Sequence, residues 1–389
     1  MDRRTFARGM CLGGAATFAL PMVRFAQVPG DGKLVFVLLR GGFDGLAAVV
    51  PLGDPDYVKI RGSMAFEASD VAALEDGFGL APGLAPLRSV WEDDELVVLH
   101  AMAIPYRTRS HFDGQAILET GLSRLQGSSD GWLNRLLQIM DGERSGIAVA
   151  AGMPRSLSGP HPVASWSPAQ LGAVDDPYLD RLAVLYRADR RLHDRFEAAL
   201  QLRELASGME SGGAGPQAGR GRVAPVMTAA ARFLREPGGP NVAALEFSGW
   251  DTHANQGMAG GQLDRLLGQL SEGLLTFRTE MGDAWRDTTV VVMTEFGRTA
   301  RPNGTRGTDH GTAGAGFVLG PRVARSAVVT DWPGLGERAL YQDRDLNPTL
   351  DTRAVLKAAI AGTFDLTGAQ ADRVFPGSND VRGLWTLMR

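Results

Sequence analysis

Apolar residues fall in short unbroken runs along this chain, separated by polar, glycine-rich turns. The runs cover residues 33–39, 95–103, 146–152, 241–247, 288–294 and 316–320. None alternates polar and apolar positions, as a strand with one wet face would. Runs of this kind predict strands covered on both faces, the pattern of a mostly parallel sheet between helical layers. Between the fourth and fifth runs, Leu263, Leu266, Leu267, Leu270, Leu274 and Phe277 recur at helical spacing. That spacing predicts a crossover helix. A long, charge-laced helix is expected over 176–206, then a flexible Gly-rich loop over 207–222. The span 121–239 carries little recognisable chemistry and reads as a helical insertion or cap. The expected fold class is a three-layer α/β/α sandwich with a mostly parallel central sheet.

Composition narrows the function. The 389 residues are enough for one large α/β domain. A net charge of −4 argues against nucleic acid as a partner, since a binder would carry a basic domain. The first residues pair Arg3 and Arg4 with Thr5 and Phe6, ahead of an apolar stretch. This resembles a twin-arginine export leader, expected over residues 1–27, with a single domain over 28–389. The leader is too short and Gly/Ala-rich for a stable membrane span. It implies a periplasmic or secreted protein, with the twin-arginine translocase as a transient partner. The one cysteine, Cys11, lies within that leader. A mature chain without cysteine has no disulfide and no thiolate metal site, so any metal would be held by His and carboxylates.

Four loops beside the apolar runs hold the candidate chemistry, where ligands of open α/β sheets bind. Asp44 follows the first run in Arg-Gly-Gly-Phe-Asp-Gly, a loop without the lysine and glycine spacing of a phosphate cradle. Ser110 stands where a helix begins, either as its cap or as a nucleophile or metal-bound hydroxyl, with Arg107 and Arg109 beside it. His111 could be a ligand, a base or a satisfied polar side chain. Asp251 and His253 are two residues apart after the fourth run, so extended backbone would aim both to one side. Glu295 follows the fifth run, and Asp309 and His310 precede the sixth. Several carboxylates gathered at one sheet edge repel one another unless a cation sits among them. One or two divalent ions are therefore expected. Imidazole with carboxylate suits zinc or manganese, and an all-oxygen position would suit magnesium or calcium.

Taken in order, Arg-Thr-Arg-Ser-His-Phe-Asp-Gly-Gln, Gly-Trp-Asp-Thr-His-Ala-Asn-Gln, Thr-Glu-Phe-Gly-Arg and Gly-Thr-Asp-His-Gly-Thr-Ala-Gly resemble the bacterial family called domain of unknown function 1501. That family is similar to the alkaline-phosphatase/sulfatase superfamily, so the resemblance implies an alkaline-phosphatase-like sandwich. It implies metal contacts from Asp44, Asp251, His253, Glu295, Asp309 and His310. It further implies a nucleophile at Ser110, with His111, Arg109 and Arg298 assisting. Phe296 departs from the pattern, because the superfamily commonly has a metal-binding histidine there. One ligand of a second metal is then missing unless His111 or Asp309 replaces it. The implied activity is metal-dependent hydrolysis of phosphate or sulfate esters of a small molecule or glycan, by the serine or by a metal-activated water. The alternative is a non-catalytic metal-containing binding or assembly protein on the same scaffold.

Overall fold

Every one of the six apolar runs is a strand in the computed structural model, which describes residues 32–125, 130–140, 144–167, 176–190, 192–193, 196–197, 199–200 and 223–389. In chain order the strands are β1 (Lys33–Arg40), β2 (Val49–Val50), β3 (Ala72–Ala73), β4 (Gly79–Leu80), β5 (Leu96–Ala103) and β6 (Gly146–Val149). They continue with β7 (Ala164–Trp166), β8 (Val242–Ser248), β9 (Thr288–Met293), β10 (Gly314–Leu319), β11 (Ala327–Val329) and β12 (Leu350–Asp351). The central nine-stranded sheet runs β11-β5-β10-β9-β1-β8-β6-β7, with β12 also paired to β5. All its pairings are parallel except those of β10, which is antiparallel to both β5 and β9. Strands β2, β4 and β3 form a separate small sheet.

The unbroken apolar runs follow from burial on both faces. Val35, Val37 and Leu39 of β1 point into one core, which they share with Met227 and Phe233 of the Val223–Arg235 helix and Leu267, Leu270 and Leu274 of the Gln262–Met281 helix. Leu34, Phe36 and Leu38 point into the opposite core, with Leu118, Leu133, Val355 and Val374 from four other helices. Helix layers thus cover both faces of the sheet, as expected. The leucines predicted to form a crossover helix lie on the Gln262–Met281 helix.

The reading of 121–239 needs correction. This span supplies β6 and β7 to the central sheet, and its Val223–Arg235 helix packs into one core, so it is not wholly an insertion. Of the long helix expected over 176–206, Asp176–Tyr186 is helical. The leader and the Gly-rich loop lie outside the described residues. No helix among the described residues is long and apolar enough to cross a membrane.

Strand direction positions the chemistry. β1, β5, β8 and β9 run the same way, so their carboxyl ends share one sheet edge. The antiparallel β10 begins at that edge, which brings the residues before Gly314 to it as well.

Candidate metal centre

Four chain segments meet at this edge. The chain leaving β5 turns and starts the His111–Thr120 helix, with Ser110 as its N-cap. Asp251 and His253 follow β8, Glu295 and Phe296 follow β9, and His310 precedes β10. Two glycines allow the segments to approach. Gly42 has φ +63°, and a Cβ there would lie 2.7 Å from the Phe296 ring. A Cβ on Gly307 would lie 2.3 Å from the His253 carbonyl group, so only glycine lets the 299–313 loop rest on the His253 loop.

Three imidazoles and one carboxylate converge. His310 Nε2 lies 2.9 Å from His111 Nε2 and 3.0 Å from His253 Nε2. Asp251 Oδ1 lies 3.0 Å from His253 Nε2 and 3.2 Å from His310 Nε2, and Asp251 Oδ2 lies 3.4 Å from His111 Nε2. Ligand atoms of His111, Asp251 and His310 all fall within 4.8 Å of one another. The group is open to solvent on one side, with the His253 side chain 45% exposed and that of Asp251 40%.

The opposite ring nitrogens explain why the Nε2 atoms face inward. His111 Nδ1 lies 2.7 Å from Glu295 Oε1, His253 Nδ1 lies 3.1 Å from Asp309 Oδ1, and His310 Nδ1 lies 3.0 Å from the Arg109 carbonyl oxygen. Each partner can only accept when ionised or as a carbonyl, so each Nδ1 carries the proton and donates. The three Nε2 lone pairs are then left facing one another and Asp251. Such a set of acceptors fits a bound cation, and histidine ligands are oriented by carboxylates and carbonyls in this manner at metal sites.

Electrostatics keep the carboxylates around these rings ionised and act in opposite directions on His111 and His310. The Glu295 hydrogen bond outweighs burial and raises the His111 pKa. Burial pushes Glu295 up, but donation from His111, Gln115 and the Gly41 amide outweighs it and holds the carboxyl below its ordinary value. Burial likewise pushes Asp251 up, and Arg298 with the neighbouring histidines brings it lower than usual. Asn303 donates to Asp309 and lowers it, against a smaller effect of burial. Burial, and then the nearby His111 charge, lower His310.

The remaining expected site residues occupy other positions. Asp44 is buried and caps the Gly45–Ala48 turn. Its carboxylate also accepts from Arg61 at 2.6 Å and from Gln256 at 2.8 Å, and it is outside the Nε2 cluster. Glu295 and Asp309 face Nδ1 atoms, one step back from where ligands were expected. Arg298 is buried and committed to Asp251, the Thr308 hydroxyl and carbonyl, and the Gly41 carbonyl. Arg109 donates to Asp345 and Gln342. Ser110 Oγ accepts from the Asp113 amide at 3.5 Å, a long capping bond. Phe296 is buried against the cluster, its ring centroid 4.8 Å from that of His111 and 5.2 Å from that of His310. It forms an apolar back wall.

Sequence reasoning missed Gln115, whose amide donates to Glu295 Oε1 at 3.0 Å. A signal for it was present: His111, Gln115 and Glu119 are spaced by four, on one face of a helix. Gln256 and Thr308 were missed too, and nothing in their local sequence marks them.

Fold and site together define an α/β protein with a mostly parallel sheet and a histidine-rich centre at the carboxyl edge of its strands. The family model described as "Protein of unknown function (DUF1501)" matches residues 94–376, and the chain belongs to that family. No curated protein matches the chain. Among solved structures, the C-terminal periplasmic domain of EptC from Escherichia coli, in complex with zinc, is similar at 12% identity. That match covers 75% of this chain and 73% of the other, with a TM-score of 0.36. A protein in the alkaline phosphatase superfamily from Vibrio parahaemolyticus is 13% identical over 78% of this chain and 64% of its own, with a TM-score of 0.35. The PsFucS1 sulfatase from Pseudoalteromonas sp. is 9% identical over 90% of this chain and 73% of its own, with a TM-score of 0.37. These likenesses are distant, and the functional reading rests on the site itself.

Proposed function

We propose that this protein is an exported, metal-dependent hydrolase of phosphate or sulfate esters. The observation that carries the reading is the convergence of three Nε2 atoms and the Asp251 carboxylate, with all three Nδ1 atoms held by acceptors. His111, His253, His310 and Asp251 would hold one ion, with zinc or manganese suiting this donor set better than magnesium or calcium. A bound divalent ion supplies Lewis acidity that activates water and polarises an ester oxygen. Glu295, Asp309 and the Arg109 carbonyl keep the imidazoles in the ligating tautomer. Phe296 keeps water from their inner side. The exposed faces of His253 and Asp251 leave a route for a small-molecule or glycan ester. Export through the twin-arginine pathway would place the reaction in the periplasm or outside the cell.

A second reading has a specific observation in its favour. Arg109 and Arg298, expected to neutralise a transferring group, are both paired within the protein. That favours a metal-holding binding or assembly protein without turnover. Elemental analysis of protein purified without chelator tests the shared premise: about one equivalent of divalent metal is expected, lost in His310→Ala. No stoichiometric metal would end both readings. With metal present, hydrolysis of any of a panel of phosphate and sulfate monoesters supports the hydrolase, and uniform silence supports the binder.

A further inference from the structure

Asp251 carries the carboxylate of the centre, and a buried hydrogen-bond chain ends on it. Arg298 donates to Asp251 Oδ1 through one nitrogen, and its Nε lies 3.2 Å from Thr308 Oγ1. Thr308 Oγ1 lies 2.9 Å from Gln256 Oε1, and Gln256 Nε2 lies 2.8 Å from Asp44 Oδ2. Arg61 closes the far end against Asp44 at 2.6 Å. Arg61, Asp44, Gln256, Thr308 and Arg298 are all buried.

The chain has a single consistent polarity. Asp44 bears a carboxylate that can only accept, so the Gln256 amide must turn its NH2 toward it. The Gln256 carbonyl oxygen is thereby presented to two hydroxyls, Thr308 at 2.9 Å and Thr252 at 2.8 Å. Thr308 spends its proton on that oxygen, which leaves a lone pair for Arg298 Nε–H. The guanidinium is then fixed in plane, with NH1 on Asp251 and NH2 on the Thr308 carbonyl. Without charge at Asp44 the amide has no reason to prefer this orientation. A flipped amide would point NH2 at both hydroxyls, so Thr308 would accept from Gln256 and Arg298 together and its own buried proton would lose the Gln256 oxygen as acceptor.

We infer that Asp44 is a positioning residue: its charge sets the direction of a relay through Gln256, Thr308 and Arg298 that holds Asp251 in its ligating position. The inference rests on the metal-centre reading above and goes beyond it, since the relay lies wholly outside the ligand set. Partners behind a metal ligand typically change metal affinity about 10–100-fold when removed.

The test is competition for zinc against a chelator of known affinity, together with the visible spectrum of the cobalt-substituted protein. Thr308→Val removes the hydroxyl at nearly constant volume, and Thr308→Ser restores it. Thr308→Val and Asp44→Asn are each expected to weaken zinc binding by about 10-fold or more and to shift the cobalt bands. Thr308→Ser is expected to stay within about twofold of wild type, and the Asp44→Asn, Thr308→Val double variant to bind about as weakly as the weaker single, because both break one chain. If Asp44→Asn does not fold, the Thr308 pair still decides. Wild-type affinity in Thr308→Val overturns the relay, as does equal weakening in Thr308→Ser. Loss in Asp44→Asn alone, with Thr308→Val unaffected, overturns it in favour of Asp44 acting directly on the ion. Absence of zinc binding by the wild-type protein instead overturns the metal-centre reading beneath it.

Discussion

Two histidines of this chain show how environment divides one residue type between roles. His310 is partly buried, and its neighbours leave Nε2 to face other ligand atoms. His100 is fully buried: its Nε2 lies 3.0 Å from the Val49 carbonyl oxygen, and its Nδ1 accepts from the Ala101 amide at 2.8 Å. The rings of Trp332 and Phe78 enclose it, at 5.0 Å and 5.8 Å between centroids. Burial, against a smaller opposing hydrogen bond to Val49, pushes its pKa down to about 4. The unfolded chain has the ordinary value near 6.5 and binds the proton first as pH falls. Neutral His100 therefore contributes its full share of stability above about pH 6.5 and loses it between there and about pH 4. The share is on the order of 3 kcal/mol. Urea unfolding at pH 7, 5.5 and 4.5 checks this, with His100→Gln as reference. The wild type is expected to lose more stability than the variant across that window, and parallel pH profiles would refute it.

At the scale of elements, the His111–Thr120 helix bears on the nucleophile. Ser110 caps it through a 3.5 Å bond, while Asp113 in its first turn accepts from Tyr106 at 2.6 Å. If Ser110 serves only as a cap, Ser110→Ala costs about 1 kcal/mol of stability and leaves ester hydrolysis near the wild-type rate. We expect that outcome, since water is the proposed nucleophile. Loss of turnover with metal content intact would move the nucleophile to Ser110. Elements also explain what could be read in advance. The six strands announce themselves because burial on both faces leaves mainly apolar residues in them. β7, β11 and β12 have two or three residues each and are too short to leave a pattern. Within the site, Asp251, His253 and His310 could be nominated from their loops, because ligands of open α/β sheets bind at the carboxyl ends of the strands. Which nitrogen of each ring faces inward was not legible. It depends on which ring nitrogen meets Glu295, Asp309 or the Arg109 carbonyl across more than fifty residues of chain. Asp44 was misplaced for the same reason: its carboxylate is consumed by Arg61 and Gln256, and neither contact is written in the loop that carries it.

At the scale of the molecule, the proposed ion joins segments distant in sequence, which hydrogen bonds such as Asn255 N–H to the Thr305 carbonyl and Thr308 N–H to the Thr252 carbonyl also tie together. His111 comes from the chain after β5, Asp251 and His253 from that after β8, and His310 from the loop before β10. The strands themselves are secured by two cores, one on each sheet face, and do not need the ion. Removing it should therefore loosen the carboxyl edge more than the sheet. The apo cluster has three inward-facing lone pairs and a carboxylate, which repel unless they take up protons or move apart. A ligand that binds only the folded state stabilises it by about 2.7 kcal/mol when present at 100 times its dissociation constant. Chelation is thus expected to lower Tm, with re-addition of zinc restoring it. Amide hydrogen exchange locates the effect. Residues 104–113, 249–256 and 295–313 should exchange faster after chelation, while β9, buried throughout, and β1, buried except at its two end residues, should stay protected. Uniform acceleration across the sheet would mean that the ion supports the global fold and is no local clasp. No change anywhere, with metal shown to be gone, would mean that these loops hold the cluster together by their own hydrogen bonds.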